Sequence, residues 1–327
     1  MAIDRGQIAV AAPEPGDSGP ASSPVTFDAQ PDPAMVGAID LHVHGYPDVG
    51  LRWRMRTDDL TLAKLARAYG MAGIVLKSHF WPTMDRALLL NELLDADNFT
   101  IYSSITLNQL VGGISPMAVE AAAAHGARVV FLSTWGSAND HAHGGVVRRQ
   151  VIDPMFPSFS GHLDRSAIRV VDGNGRLSAE CRDVMAVSAD LGLTVSTGHL
   201  STDESLAVAR HAADMGFQKL IFAHPFSPSI RAERAVMGEI ADLGVTVEMT
   251  QALTVLPRAP ITVGDIHATI GELGSQRVVL TSDVFFDWLP PQAEVFRMFL
   301  GQLRSLGCTT EELRTMVVDN PARLLSR

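Results

Sequence analysis

Eight short apolar runs recur along the chain, with helix-like segments between most of them. They are AIDLHVH (38–44), GIVLKSH (73–79), FTIYSSI (99–105), RVVFLST (128–134), LTVSTGH (193–199), KLIFAH (219–224), VTVEMTQ (245–251) and RVVLTSD (277–283). Strands of this length separated by helices pair in parallel, because a parallel neighbour needs a long crossover connection. Eight is also the number at which such a sheet closes on itself. The expected fold is therefore α/β, a (β/α)8 TIM barrel with an irregular N-terminal arm and C-terminal helices. A doubly wound open sheet is the rival. It carries a glycine-rich phosphate turn after its first strand, and here His42-Val43-His44 stands in that place.

The helix signals agree with this alternation. Thr57 can cap a helix ending near Tyr69, and Ser115-Pro116 opens another that ends at Gly126. Ser201 with Glu204, and Thr309 with Glu312, have capping-box spacing, while Gly192, Gly216 and Gly244 sit where helices end. The stretch 134–178 reads as one long loop, with a small hairpin at VVDGNGRL. Met215, Met237 and Met298 read as core filling, and His125, His211 and His267 as structural.

The chain has 327 residues, 46% of them hydrophobic, enough for one large core. Residues 37–327 are expected to form a single barrel. Residues 1–36, rich in Ala, Pro, Gly, Ser and Asp, read as an irregular arm, either loose or contacting another subunit of a homo-oligomer. A net charge of −10 argues against nucleic acid, and the local pairs Arg52/Arg54 and Arg148/Arg149 suggest a site for a small anion instead. The N-terminus lacks the apolar core of a signal peptide, and no apolar run is long enough to span a membrane. Two cysteines, Cys181 and Cys308, build no disulfide framework and suit a reducing, cytoplasmic setting.

Side chains alternate faces along a strand. On that rule Asp40, His42 and His44 point into the barrel, and Ile39, Leu41 and Val43 point to the helices. Two polar core residues bonded to backbone would explain the histidine pair alone. The wider pattern does not fit that explanation: five of the eight runs end on a metal-competent side chain, at His44, His79, His199, His224 and Asp283. Barrel active sites lie at those ends, and imidazole is a preferred ligand of borderline divalent metals. Lys77 lies two residues before His79, on the same face.

The ordered set His42-x-His44, His199, His224 and Asp283, with a closing DNPARLL, resembles the amidohydrolase superfamily of metal-dependent hydrolases. The resemblance runs from about residue 37 to 327, and is nearest to a small branch with Lys on the second strand. It implies one or two divalent metals per chain, zinc first by ligand type, with manganese, iron or cobalt open. It implies His42, His44, Lys77, His199, His224 and Asp283 as metal ligands and Asp283 as the catalytic proton carrier. The reaction implied is attack of metal-activated water on an amide, cyclic amide, lactone or ester. Many members bridge two metals with a carboxylated lysine on the fourth strand; RVVFLST has none, so Lys77 is the substitute, or else a charged group binding substrate or pairing with Asp40. The missing bridge keeps open a mononuclear-metal decarboxylase of an aromatic or unsaturated acid. Substrate-binding candidates are Arg52, Arg54, His79, Trp135 and His141, and the guanidinium groups would suit a carboxylate. His141 and His143 form a weaker candidate for a second chelating pair.

Overall fold

The computed structural model describes residues 32–48, 55–145, 148–158, 160–284 and 286–326, without the side chains of Gln150, Val151 and Ser160. Eight parallel strands form one sheet in sequence order: β1 (Ile39–His44), β2 (Gly73–Lys77), β3 (Thr100–Thr106), β4 (Ala127–Phe131), β5 (Thr194–Ser196), β6 (Leu220–Phe222), β7 (Thr246–Thr250) and β8 (Val278–Thr281). The sheet curls until β8 meets β1. There the Asp283 N–H donates to the His42 carbonyl at 3.1 Å, and the Ser282 N–H meets the Asp40 carboxylate at 3.2 and 3.3 Å. The result is a nearly closed (β/α)8 barrel, as the alternation predicts. No helix among the described residues is long and apolar enough to cross a membrane.

Two apolar layers surround the strands. Outward residues such as Val43, Leu76, Val130 and Leu280 pack under the helices in the main core. Inward residues at the starts of strands form a smaller cluster: Ile39, Leu41, Val75, Val129, Ile221 and Val279, joined by Leu324 and Leu325 of the last helix, Asn320–Leu325. That helix plugs the N-terminal end of the barrel, with the Thr194 hydroxyl donating to the Leu324 carbonyl at 2.7 Å.

Strict alternation fails in β1. The register with β2 slips between Asp40 and Val43, so one extra residue is accommodated there. Such a bulge puts two consecutive side chains on one face. Ile39 and Leu41 therefore point inward with the apolar plug, His42 and His44 also point inward, and Asp40 faces outward. The Asp40 carboxylate is committed to the Gln292 amide at 2.6 Å, the His42 N–H at 3.1 Å and Ser282. Pairing of Lys77 with Asp40 is thereby ruled out.

Local signals hold, with shifts of a residue. The first helix, Asp59–Ala68, is capped by Asp58 rather than Thr57. Ser115 caps its helix, both capping boxes form, and Gly192, Gly216 and Gly244 take positive φ at helix ends. The stretch 134–178 contains short helices at Ala138–Ala142, Arg148–Ile152 and Ser160–Arg165, followed by the expected hairpin, where Val171 and Leu177 pair antiparallel. Met237 is fully buried, but Met215 and Met298 are exposed. The packed body also begins before residue 37: Ala34 and Met35 are buried, Asp32 pairs with Arg304 at 2.7 Å, and Arg314 donates to the Pro33 and Val36 carbonyls. The rest of the arm, residues 1–31, lies outside the described residues.

Candidate metal centre

The C-terminal rim gathers the histidines that the sequence disperses over nearly two hundred residues. His42 and His44 come from the end of β1; Lys77 ends β2, and His79 follows it. His199, His224 and Asp283 lie two or three residues beyond β5, β6 and β8, past the last paired strand residues. His224 and Asp283 both take left-handed backbone, φ 24 and 48, which an L-residue adopts only where surrounding structure demands it.

Three of these imidazoles repeat one arrangement. His42 Nδ1 rests on Glu248 at 2.8 Å, His44 Nδ1 on Asp48 at 2.7 Å, and His199 Nδ1 on Asp140 at 2.9 Å. A carboxylate accepts only, so each Nδ1 carries the proton, and each Nε2 is directed away from its carboxylate. Asp283 Oδ1 stands 3.1 Å from Nε2 of His42 and 3.3 Å from Nε2 of His44. Lys77 Nζ, 1% exposed as a residue, is 2.8 Å from the same His42 nitrogen. The His224 ring sits 5.0 Å from His199 and 5.7 Å from His42, centroid to centroid, and its buried Nδ1 has no hydrogen-bond partner among the described residues. His79 stacks on His44 at 4.7 Å.

Electrostatics follow from burial and these neighbours. Burial pulls the His42 ring down, but Asp283, with Glu248 adding, outweighs it and holds the ring at about 9. Burial would raise the Glu248 carboxyl, yet His42 brings it down to about 2; Asp283 is likewise held well below its usual range by His42 and His44. Burial lowers Lys77, and burial with the adjacent cationic groups lowers His79 and His224, the latter to about 3. Burial lifts Asp40 to about 6.

The donor set fits a divalent cation. Ligand atoms of His42, His44 and Asp283 lie within 4.8 Å of one another, as do those of His44, Asp48 and His79. In the second group Asp48 is already engaged, bonding His44 and accepting the His79 N–H at 2.8 Å, so it positions rings. Above the set opens a pocket of about 230 Å³ whose wall includes Lys77, His79, His199, His224 and Asp283.

Two expected wall residues are elsewhere. Trp135, 1% exposed, packs with Phe80 and Ile152 beneath the pocket, and its Nε1 donates to the His79 carbonyl at 3.0 Å. It supports His79 and does not line the cavity. His141 turns away to Arg148 and Asp164. It makes no chelating pair with His143, whose Nδ1 bonds its own helix at the Asn139 carbonyl. Arg52 and Arg54 fall outside the described residues. Sequence reasoning missed Glu248, Asp48, Asp140 and Asn139. The Asn139 amide ties the His199 carbonyl, at 3.1 Å, to the Ser229 carbonyl, at 2.8 Å, joining the loops after β4, β5 and β6. Glu248 alone left a readable signal, a single acid inside an apolar strand.

A family model described as a family of unknown function, DUF6282, matches residues 37–248, more than half of the chain. The chain belongs to that family. The match to the DUF6282 model stops within β7 at Glu248, so Asp283 lies beyond it. No curated protein matches. Among solved structures, an amidohydrolase from Pseudomonas aeruginosa aligns with TM-score 0.62 and 13% identity, over 90% of this chain and 96% of that one. A probable dipeptidase, PvdM, from the same organism aligns with TM-score 0.57 and 14% identity, over 89% and 94%. A probable 2-pyrone-4,6-dicarboxylic acid hydrolase from Acinetobacter baumannii, with citric acid bound, gives TM-score 0.54 and 12% identity, over 89% and 99%. At these identities the likeness is one of fold.

Proposed function

We propose that the protein is a metal-dependent hydrolase of the amidohydrolase type, cleaving a C–N bond of an amide or cyclic amide, or a lactone or other ester, in a small molecule. One observation carries the reading: His42, His44 and His199 each rest Nδ1 on a carboxylate at a single rim, and Asp283 meets two of them. Carboxylate-oriented imidazoles are what a metal ligand set requires and what core histidines do not. His42, His44, His199, His224 and Asp283 would hold one or two divalent cations, zinc first by ligand type. Lys77, buried and within reach of the same nitrogen, would join as a carboxylated bridge if there are two. A cation there would polarise a carbonyl and lower the pKa of water to about 7.

The chain's own groups supply the remainder. Asp283, its side chain 20% exposed at the pocket floor, takes the proton from the attacking water and delivers it to the leaving nitrogen or oxygen. Its left-handed backbone and its N–H bond to His42 hold that carboxylate in place. His79, kept neutral by burial, presents a hydrogen-bonding ring beside the reacting carbonyl. Hydrolase and dipeptidase are the names that fold neighbours carry, which supports hydrolysis as the reaction type. Two buried free thiols suit a cytoplasmic enzyme.

A second reading has its own support. Phe131 ends β4 with its ring centroid 5.5 Å from that of His42, and an apolar ring there offers a second metal no ligand. That favours a single metal and a decarboxylase. Metal counting separates the two: near two equivalents per chain supports the hydrolase, near one the lyase. A screen of cyclic amides, lactones and aromatic acids then identifies the bond. With the hydrolase, Asp283→Asn keeps metal better than His42→Ala or His199→Ala but loses turnover; undiminished turnover would remove its proton-carrying role. Lys77→Ala lowers metal occupancy, and short carboxylic acids partly restore it; full occupancy without them would show that Lys77 is no bridge.

A further inference from the structure

Four non-glycine residues among those described have positive φ: Asp95, His224, Arg231 and Asp283. Asp95 ends a helix, which is an ordinary place for that conformation. The other three line the pocket. Two are candidate ligands, and the third, Arg231 at φ 51, has no part in the chemistry described above. A side chain is held against its backbone preference where the surroundings fix it, and such positions cluster at functional sites.

The loop carrying Arg231 is fastened. Arg231 N–H donates to the Ser227 carbonyl at 2.9 Å, Ala232 N–H to the Pro225 carbonyl at 2.9 Å, and Asn139 holds Ser229. Arg231 Nε donates to the Pro228 carbonyl at 2.7 Å, which leaves the outer nitrogens of the guanidinium for another partner. A second guanidinium, Arg149, reaches the pocket wall from the loop after β4. It lies over Gly144, where a Cβ would stand 3.2 Å from its Nη1 and where φ is 59. Its neighbour Arg148 is buried and paired with both Asp153 and Asp164. Among the described residues neither Arg149 nor Arg231 meets a carboxylate. The remaining mouth is largely apolar, with Leu253, Leu256 and Phe286.

We infer that Arg231 and Arg149 form an anion-capturing edge that takes the carboxylate of a small organic acid, whose apolar body lies against Leu253, Leu256 and Phe286. A guanidinium fork matches a carboxylate bidentately, and an apolar wall beside it selects a hydrocarbon body over a sugar or polyol. This rests on the hydrolase reading and sets its substrate class: an amide or lactone that also bears a carboxylate away from the bond cleaved.

Calorimetric titration of metal-loaded protein with 3-phenylpropionate and with uncharged 3-phenylpropanamide tests it. The acid binds at least about tenfold more tightly than the amide, one fork being worth at least that ratio. Arg231→Met and Arg149→Met each weaken the acid by a similar factor and leave the amide unchanged. Arg231→Gly relieves the left-handed backbone, so it melts no lower than the parent and still loses the acid, which separates lost binding from lost folding. Equal binding of acid and amide, no binding of the acid, or acid binding indifferent to both arginines would each overturn the inference; the last would mean capture by the metal. Metal content is measured on the same samples. Arginine-dependent binding without metal would overturn the hydrolase reading alone, and full metal with arginine-independent binding would overturn this inference alone.

Discussion

At the N-terminal end of the barrel, Ile39, Leu41, Val75, Val129 and Val279 pack against Leu324 and Leu325. A few residues further along the chain stand His42, His44 and Lys77 on β1 and β2, and Asp283 just beyond β8. One end is a dry apolar plug; the other concentrates buried charge. In β1 the change happens across a single peptide bond, because the bulge turns both Leu41 and His42 inward. Stability and chemistry are divided by height in the barrel. The plug returns free energy through burial of apolar surface, whereas the rim spends some on desolvated charges that only mutual pairing, or a cation, offsets.

Mutations at the two ends should therefore fail in different ways. The largest effect is expected from His42→Ala and His199→Ala, each losing metal and activity together by more than about a hundredfold, since each removes a ligand with an oriented ring. Metal content unchanged in both would show that the rim histidines hold no cation. Leu41→Ala should lower stability by roughly 2–5 kcal/mol, read by denaturant unfolding, and leave metal binding intact. A stable Leu41→Ala protein that had lost its metal would show that the ends are not separable. Asp40→Asn sits at the hinge between them. It should cost about 1–3 kcal/mol, because Ser282, His42 and Gln292 all depend on that carboxylate, and it should also weaken metal through a misplaced His42.

A smaller effect lies outside the barrel interior, at Asp59. Burial, partly offset by Arg86, pushes its carboxyl up to about 6 from a usual 3.8, and its Oδ1 has no hydrogen-bond partner among the described residues. The folded state then binds the proton more tightly than the unfolded one. The group's contribution is most favourable below about pH 4, falls as pH rises towards 6, and is flat above. Wild type should therefore gain on Asp59→Asn by up to about 2 kcal/mol between pH 7 and pH 4, a trend opposite to general acid denaturation. A stability difference that does not change with pH would refute it.

Much of this was legible in the sequence, for physical reasons. Eight apolar runs and the capping boxes at Ser201 and Thr309 are local signals, and the barrel follows from counting them. The strand-end histidines were legible because their residue type is rare in an apolar setting. The bulge was not: nothing in AIDLHVH marks where alternation breaks, since the break depends on Asp40 finding Ser282 and Gln292 from the far end of the chain. Asp48 and Asp140 were illegible for the same reason; an acid in a loop looks solvated until the fold sets it against an imidazole. Trp135 and His141 misled by lying near the right strand while packing beneath or away from the pocket. Arg231 gave no sign, because its significance is a backbone angle.

Leu41 and His42 are neighbours in sequence and both face inward, so together they offer the most direct test. Elemental analysis of protein purified without chelator should find at least one equivalent of a first-row divalent metal per chain in wild type and in Leu41→Ala, and far less in His42→Ala. Wild type without metal, or His42→Ala with as much metal as its parent, would contradict the account.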